Sequence, residues 1–419
     1  MLLMNCAGEA IFMLGLLAAI LAACALCRLR CETSAIALLY SMASMIGTLF
    51  PLPLALLTTT LLALGIACGA AQSAPGIVGI ALCVTAVAGL LVFVTRQFAS
   101  RAPLEQALMQ VLPDSVDDVI PATVNGWQML RPLNIRRSDV ERIRDLSYGP
   151  HGERNLLDIY RSRERSSTRL MPVLIQVHGS AWMFGNKNQQ ALPLIYHVTM
   201  RGWLVVSINY RLSPAARFPA HLDDVNLAIE WVKQNIAQYG GDPNFICLTG
   251  GSAGGHLISL AALAATRREI NSPIKAAVPI YGRYDFLARD ASPTVQKSFI
   301  SFLTRYIMPG SPDAMPVLWE LASPVSQTHE RAPPFFIVQG DHDSVVPPQG
   351  AQIFADKLRA ASHTTVAYAA LPGIQHGFDI VRSPVTGFTI HAVHRFLDAQ
   401  HRQYVSVAPM AGATAEEKK

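Results

Sequence analysis

Four short stretches hold residues whose types and spacing could do acyl chemistry. "GGSAGGH" (250–256) sets Ser252 between Gly250 and Gly254 as G-x-S-x-G. A serine there sits on a sharp strand-to-helix turn, where a side chain two positions away would clash and glycine removes the clash. The N–H of Ala253, at the start of the following helix, would face developing negative charge. A serine hydroxyl is a weak nucleophile until a base takes its proton and an acid orients that base. "LPGIQHGF" (371–378) offers His376 as the base, and "QGDHDSVVP" (339–347) offers Asp341 and Asp343 as acids. "VHGSAWMFG" (177–185) is a His-Gly-rich loop able to aim backbone N–H groups at a tetrahedral oxyanion. Of the other histidines, His256 falls on the helix after the serine and is expected in packing. His391 and His394 are expected on the surface of a late helix.

These stretches need a scaffold that brings them to one edge. Nearly all-apolar runs at "PVLIQVH" (172–178), "WLVVSINY" (203–210) and "FICLTG" (245–250) suit strands buried on both faces of a parallel sheet. "NLLDIYR" (155–161), "KAAVPIY" (275–281), "PPFFIVQG" (333–340) and "TVAYAALP" (365–372) complete the set. Between them, Leu222, Val225, Ile229, Val232 and Ile236 mark one apolar helix face. Helices are also expected near 189–201, 253–266, 349–361 and 387–400. Alternating strands and helices predict an α/β fold with a doubly wound, mostly parallel sheet over 151–403. Each candidate then follows a strand C-terminus, where chemistry sits in open α/β sheets. Residues 283–330 read as a helical insertion over that edge. Residues 98–150 read as a connector or small cap with helical character at 103–111 and 137–144, and 404–419 as a disordered tail.

The N-terminal 97 residues are of another kind. Ala10–Cys27 carries no charge, and no charged residue occurs from Ser34 to Thr95. Since about 20 apolar residues cross a bilayer, this is a multi-pass membrane region. Breaks at "PLP" (51–53) and "AQSAPG" (71–76) divide it into 8–27, 35–50, 53–71 and 76–95, giving three or four crossings. A cleaved signal peptide fits poorly, because no basic stretch precedes the first apolar run and further runs follow it. Arg28 and Arg30 lie on the same side as Arg96 and Arg101 with three crossings and on opposite sides with four, which leaves the side of the catalytic domain open.

The net charge of +5 comes from scattered basic residues without aromatic interleaving, so no nucleic-acid partner is expected. Cys247 is the one cysteine beyond residue 83, and no zinc-type spacing occurs in that part.

Together "HGSAW", "INYRLSP", "QYGGDPN", "GGSAGG", "APPFFIVQGDHDSVVP" and "LPGIQHGFD" resemble the hormone-sensitive-lipase-like esterases of the α/β-hydrolase fold. Among these the chain is most like the actinobacterial carboxylesterases that carry an apolar N-terminal region. The resemblance covers about 150–400. It implies Ser252 as nucleophile, Asp343 as acid in a G-x-x-D pattern begun by Gly340, and His376 as base. It also implies oxyanion donors at Ser180, Ala181 and Ala253, supported by Gly179, and no metal or cofactor. Ser180 departs from the family, which has glycine there. The expected activity is hydrolysis of short- to medium-chain carboxylic esters through an acyl-enzyme, the partners being a small-molecule or lipid ester and the membrane, in a bacterial cell membrane. The alternatives are a prenylcysteine methylesterase, a lipid or carbohydrate deacetylase, a peptidase of the same fold, or a non-enzymatic membrane scaffold.

Overall fold

The computed structural model describes residues 2–27, 34–112, 129–133, 135–164, 169–269 and 271–416. Eight strands form one sheet: β1 (Val140–Ser147), β2 (Leu156–Ser162), β3 (Met171–Val177), β4 (Leu204–Ile208), β5 (Gly241–Gly251), β6 (Ile274–Ile280), β7 (Phe335–Gly340) and β8 (Val366–Leu371). Their spatial order is β1-β2-β4-β3-β5-β6-β7-β8. β2 runs antiparallel to β1 and β4, and every pair from β4 to β8 is parallel. β4 and β7, fully buried, and β3, buried beyond Met171, are the near-continuous apolar runs that a parallel sheet covered on both faces demands.

Twelve α-helices accompany the sheet among the described residues. The first five are α1 (Leu2–Leu26), α2 (Ser34–Leu49), α3 (Pro51–Ala67), α4 (Ala74–Gln97) and α5 (Arg101–Met109). The others are α6 (Leu192–Thr199), α7 (Ala220–Asn235), α8 (Ala253–Arg268), α9 (Pro293–Phe302), α10 (Pro316–Leu321), α11 (Gln349–Ala361) and α12 (Pro384–Glu416). One face of the sheet is covered by α7, α8 and α11, whose Val225, Ile229, Leu257, Ala261, Phe354 and Leu358 share a core with β3–β7. On the other face α5, α6 and α12 bury Leu104, Leu108, Ile195, Phe388 and Phe396.

The structure departs from the sequence expectations in four places. Residues 140–147 are strand, where helical character was expected at 137–144. Val140, Ile143 and Leu146 recur every three residues, which imitates a helix, but the spacing comes from a bulge. Asp145 takes φ +59° and the register with β2 shifts between Ile143 and Leu146. The sheet therefore starts inside the segment expected to be a connector, and α5 packs on the sheet as well. Leu104 and Leu108 are fully buried, and Glu105 pairs with Arg395 of α12 at 2.6 Å. Third, the chain from 404 onward continues α12 to Glu416 and is not a described tail of coil. Tyr404 still packs on Phe245 at 5.0 Å, and the alanines that follow favour helix. Residues 417–419 lie outside the described residues.

The fourth concerns the apolar region. Among the described residues two helices are long and apolar enough to span a membrane, Cys6–Leu26 and Ala74–Met109. The pair formed by Leu39–Leu49 and Pro51–Ala67 bends by 86° at its break, so the described residues offer two candidate crossings, or three if the bent pair is one span, where three or four were expected. α2 has 16 residues and α3 has 17, at the short end of what crosses a bilayer core.

Candidate active site

The turn after β5 gives Ser252 the backbone angles φ 55° and ψ −120°, which L-residues avoid. Two backbones cross within van der Waals contact here, and the flanking glycines follow from that. A Cβ on Gly254 would stand 2.1 Å from the carbonyl oxygen of Val177, and one on Gly250 would stand 2.6 Å from the Gly254 carbonyl carbon. α8 starts at the next residue, so its N-terminus and partial positive charge point at the serine's end of the sheet.

Ser252 Oγ lies 3.0 Å from His376 Nε2, and His376 Nδ1 lies 2.7 Å from Asp343 Oδ2. Asp343 is 2% exposed and its carboxylate is fully engaged. Oδ1 accepts from the N–H groups of Val345 (2.9 Å) and Val346 (2.7 Å), and Oδ2 accepts from Gln339 Nε2 at 2.9 Å. An acid held by that many donors is fixed in place, which is what orienting an imidazole requires. Gly340 lets the loops meet, since a Cβ there would lie 2.2 Å from the carbonyl oxygen of Ile374. Asp341 instead accepts from Gly373 N at 2.6 Å, its side chain nearly half exposed. It staples the acid loop to the base loop and does not reach His376.

The loop after β3 rests on the serine. A Cβ on Gly179 would be 2.6 Å from Gly251 O and 3.0 Å from Ser252 Cβ. Ser180, Ala181 and Trp182 have φ of 78°, 53° and 60°, a tight left-handed turn closed by Met183 N and Phe184 N on Ser180 O at 3.1 Å. Gly179 N donates to Gln190 Oε1 at 2.6 Å, so its N–H is spent on the scaffold. Gln190 Nε2 donates to Ser180 Oγ at 2.8 Å, which supports the non-glycine residue in its strained conformation.

The remaining histidines sort by contact. His256 is buried in packing as expected. Its Nδ1 accepts from Trp182 Nε1 at 3.2 Å, its Nε2 bonds Ala322 O at 2.8 Å, and burial pushes its pKa down to about 3. His178 stacks on Tyr210 at 4.4 Å and is pushed down to about 4, again by burial. His391 and His394 are not surface groups. Both are half-buried between α6 and α12, their rings 4.4 and 5.6 Å from that of His197. Among the described residues no group of three or more His, Cys, Asp or Glu is placed to hold a metal.

Three features escaped the sequence. Gln190 and Gln339 act through side-chain amides that no spacing singles out. Tyr281 lies 4.6 Å from the His376 ring and donates to Asp379, both fully buried, and burial raises both pKa values. Asp379 ends the "HGFD" string, the one signal that could have flagged it.

A mostly parallel eight-stranded sheet with a serine on a strained strand-to-helix turn, and an acid and a histidine on later strand-end loops, defines an α/β-hydrolase. Residues 157–358 match the BD-FAE family model. Esterase LipQ of Mycobacterium tuberculosis is 42% identical over 260 residues, 60% of this chain and 61% of LipQ. The probable carboxylic ester hydrolase LipM of the same organism is 44% identical over 276 residues, 64% of this chain and 63% of LipM. The chain thus spans less than two thirds of the length of these relatives. Esterase B of Lactobacillus rhamnosis superposes with a TM-score of 0.56 at 20% identity, over 65% of this chain and 89% of its own, a likeness of fold. The hydrolase region is thus similar to the hormone-sensitive-lipase-like carboxylesterases.

Proposed function

We propose that this chain is a serine hydrolase of carboxylic esters that works through an acyl-enzyme on Ser252. The observation that carries the proposal is the relay of 3.0 Å from Ser252 Oγ to His376 Nε2 and 2.7 Å from His376 Nδ1 to Asp343. His376 takes the hydroxyl proton as Ser252 Oγ attacks the ester carbonyl. Asp343 keeps the proton of the imidazole on Nδ1 and stabilises the cation that forms. The N–H groups of Ser180, Ala181 and Ala253 receive the oxyanion. His376 protonates the departing alcohol, and water repeats the cycle to release the acid.

The proposed substrates are esters of short- to medium-chain acids, and α1 and α4 are proposed to hold the enzyme in a membrane. The test is hydrolysis of p-nitrophenyl esters of rising acyl length by the full chain in detergent, beside Ser252→Ala. Activity that the substitution abolishes supports the proposal, and the chain-length optimum bounds the pocket. A folded wild type that neither hydrolyses any ester nor is labelled by a fluorophosphonate at Ser252 refutes it.

A further inference from the structure

α2 is inside-out. Its buried face carries Tyr40, Ser41, Ser44, Gly47 and Thr48, spaced as one helical stripe. Its exposed face carries Ile36, Leu39, Met42 and Ile46, which are 60%, 67%, 55% and 44% exposed. A helix bathed in water puts polar residues outward. Small and hydroxylated residues inward with large aliphatic ones outward is the pattern of a helix whose solvent is lipid. The inward face also packs that way. Ser44 Oγ donates to Cys24 O of α1 at 2.9 Å, and a Cβ on Gly47 would stand 2.6 Å from Leu21 O.

The same inward face touches the active-site loops. Ser41 Oγ and Ser344 Oγ share a hydrogen bond of 3.1 Å, and Ser344 follows Asp343 directly. Gln375 Nε2 donates to Tyr40 Oη at 3.4 Å, and Gln375 precedes His376. Gln375 Oε1 accepts from Ser344 N at 3.1 Å, which locks the two loops to each other beneath the helix. The methyl of Met45 lies 3.4 Å from where a Cβ on Gly377 would be. The helix presenting an aliphatic outer face is therefore the one that braces the acid and the base. Two further exposed apolar side chains flank the chemistry, Val345 beside the acid and Phe184 on the oxyanion loop.

We propose that α2 lies in the membrane interface as one wall of the active-site mouth, and that the substrate is the ester of a bilayer-resident amphiphile, reaching Ser252 from the lipid side. The occupant of the Ile36–Leu39–Met42–Ile46 face is the acyl-chain region of the bilayer. α2 packs on the candidate span in α1 through Ser44 and Gly47, and at 16 residues, bent by 86° from α3, it is built to lie at the boundary. This substrate class rests on the ester-hydrolase function proposed above.

The test uses two acetyl esters, which give the same acyl-enzyme and differ only in how they arrive. p-Nitrophenyl acetate comes through water, and hexadecyl acetate is presented in phosphatidylcholine vesicles that hold the full chain. In Leu39→Asp/Met42→Asp the ratio of hexadecyl acetate to p-nitrophenyl acetate turnover is expected to fall about ten-fold or more, because a carboxylate on a lipid-facing helix is costly. A second measurement does not depend on turnover: in Met42→Trp the added fluorescence is expected to be quenched by brominated phosphatidylcholine. An unchanged ratio in the folded double variant, or no quenching at position 42, overturns the inference while leaving ester hydrolysis standing. A wild type inert toward p-nitrophenyl acetate and unlabelled by a fluorophosphonate removes both.

Discussion

Gln190 holds Ser180 by the side chain and Gly179 by the backbone, with one amide donating at 2.8 Å and accepting at 2.6 Å. Where the family pattern that the sequence resembles usually has glycine, this chain has Ser180, and glycine tolerates a φ of 78° without help. Here a second side chain supplies what the missing glycine would have given. Gln190→Ala is expected to lower kcat by about 10- to 100-fold with little change in KM, since donors displaced by a fraction of an ångström fail in the transition state first. Adding Ser180→Gly to that variant is expected to restore much of the loss. Equal losses in kcat and KM that Ser180→Gly does not relieve would point to general unfolding of the loop.

The two acids after β7 separate by function. Asp343→Asn leaves a hydrogen-bonding group against His376 Nδ1 but disfavours the useful tautomer, so kcat is expected to drop by about 10⁴. Asp341→Asn keeps its acceptor toward Gly373 N and is expected to stay within about two-fold of wild type. Steady-state kinetics of both variants decide it, and comparable losses would show that Asp341 contributes to the chemistry.

Strain at the nucleophile has a thermodynamic signature. At φ 55° and ψ −120°, a residue with a Cβ is held against its preference. Ser252→Gly is expected to be more stable than Ser252→Ala by about 1 kcal/mol, although both are inactive. Melting curves of the pair settle the point; an alanine variant as stable as the glycine one means the turn is unstrained.

Acid should destabilise the fold through its buried histidines. Burial pushes His178 and His221 down to about 4 and His256 to about 3, against about 6.5 in an unfolded chain. Between those values the unfolded chain binds more protons than the folded one. Stability from these groups is therefore complete above about pH 6.5 and declines as pH falls toward about 3. Trp182 donating to His256 Nδ1 works in the same direction, because a protonated ring could not accept. The melting temperature is expected to fall steadily from pH 7 to pH 4, and the slope to lessen in His256→Gln. A flat profile contradicts this.

What could be read from the sequence was whatever leaves a local mark. Seven strands were legible because both faces of the sheet are covered, so most are apolar runs. Ser252, His376 and the pair Asp341 and Asp343 stood out as candidates because tight loops force glycines around them, at 250, 254, 340, 373 and 377. β1 was not, because its bulge turned a period of two into one of three. Nor was the choice between Asp341 and Asp343 readable from the residues alone, since both follow the same strand and only three-dimensional reach separates them. Gln190 and the Tyr40–Gln375 contact were invisible for a related reason: an amide bridging distant loops has no preferred spacing. In the N-terminal region composition gave the apolar helices, but the 86° bend between α2 and α3 is a property of packing.

The helix that begins at Ala74 continues to Met109 without a linker, and its end is buried under β8 and paired to α12. An enzyme on a flexible tether tumbles and samples every orientation. One whose candidate span runs straight into its own core cannot. With α1 and α4 in a bilayer, the serine would hold one fixed height and one fixed heading over a single leaflet. Its encounters with substrate would then be a search in two dimensions, set by lateral diffusion and surface density instead of by concentration in the surrounding water.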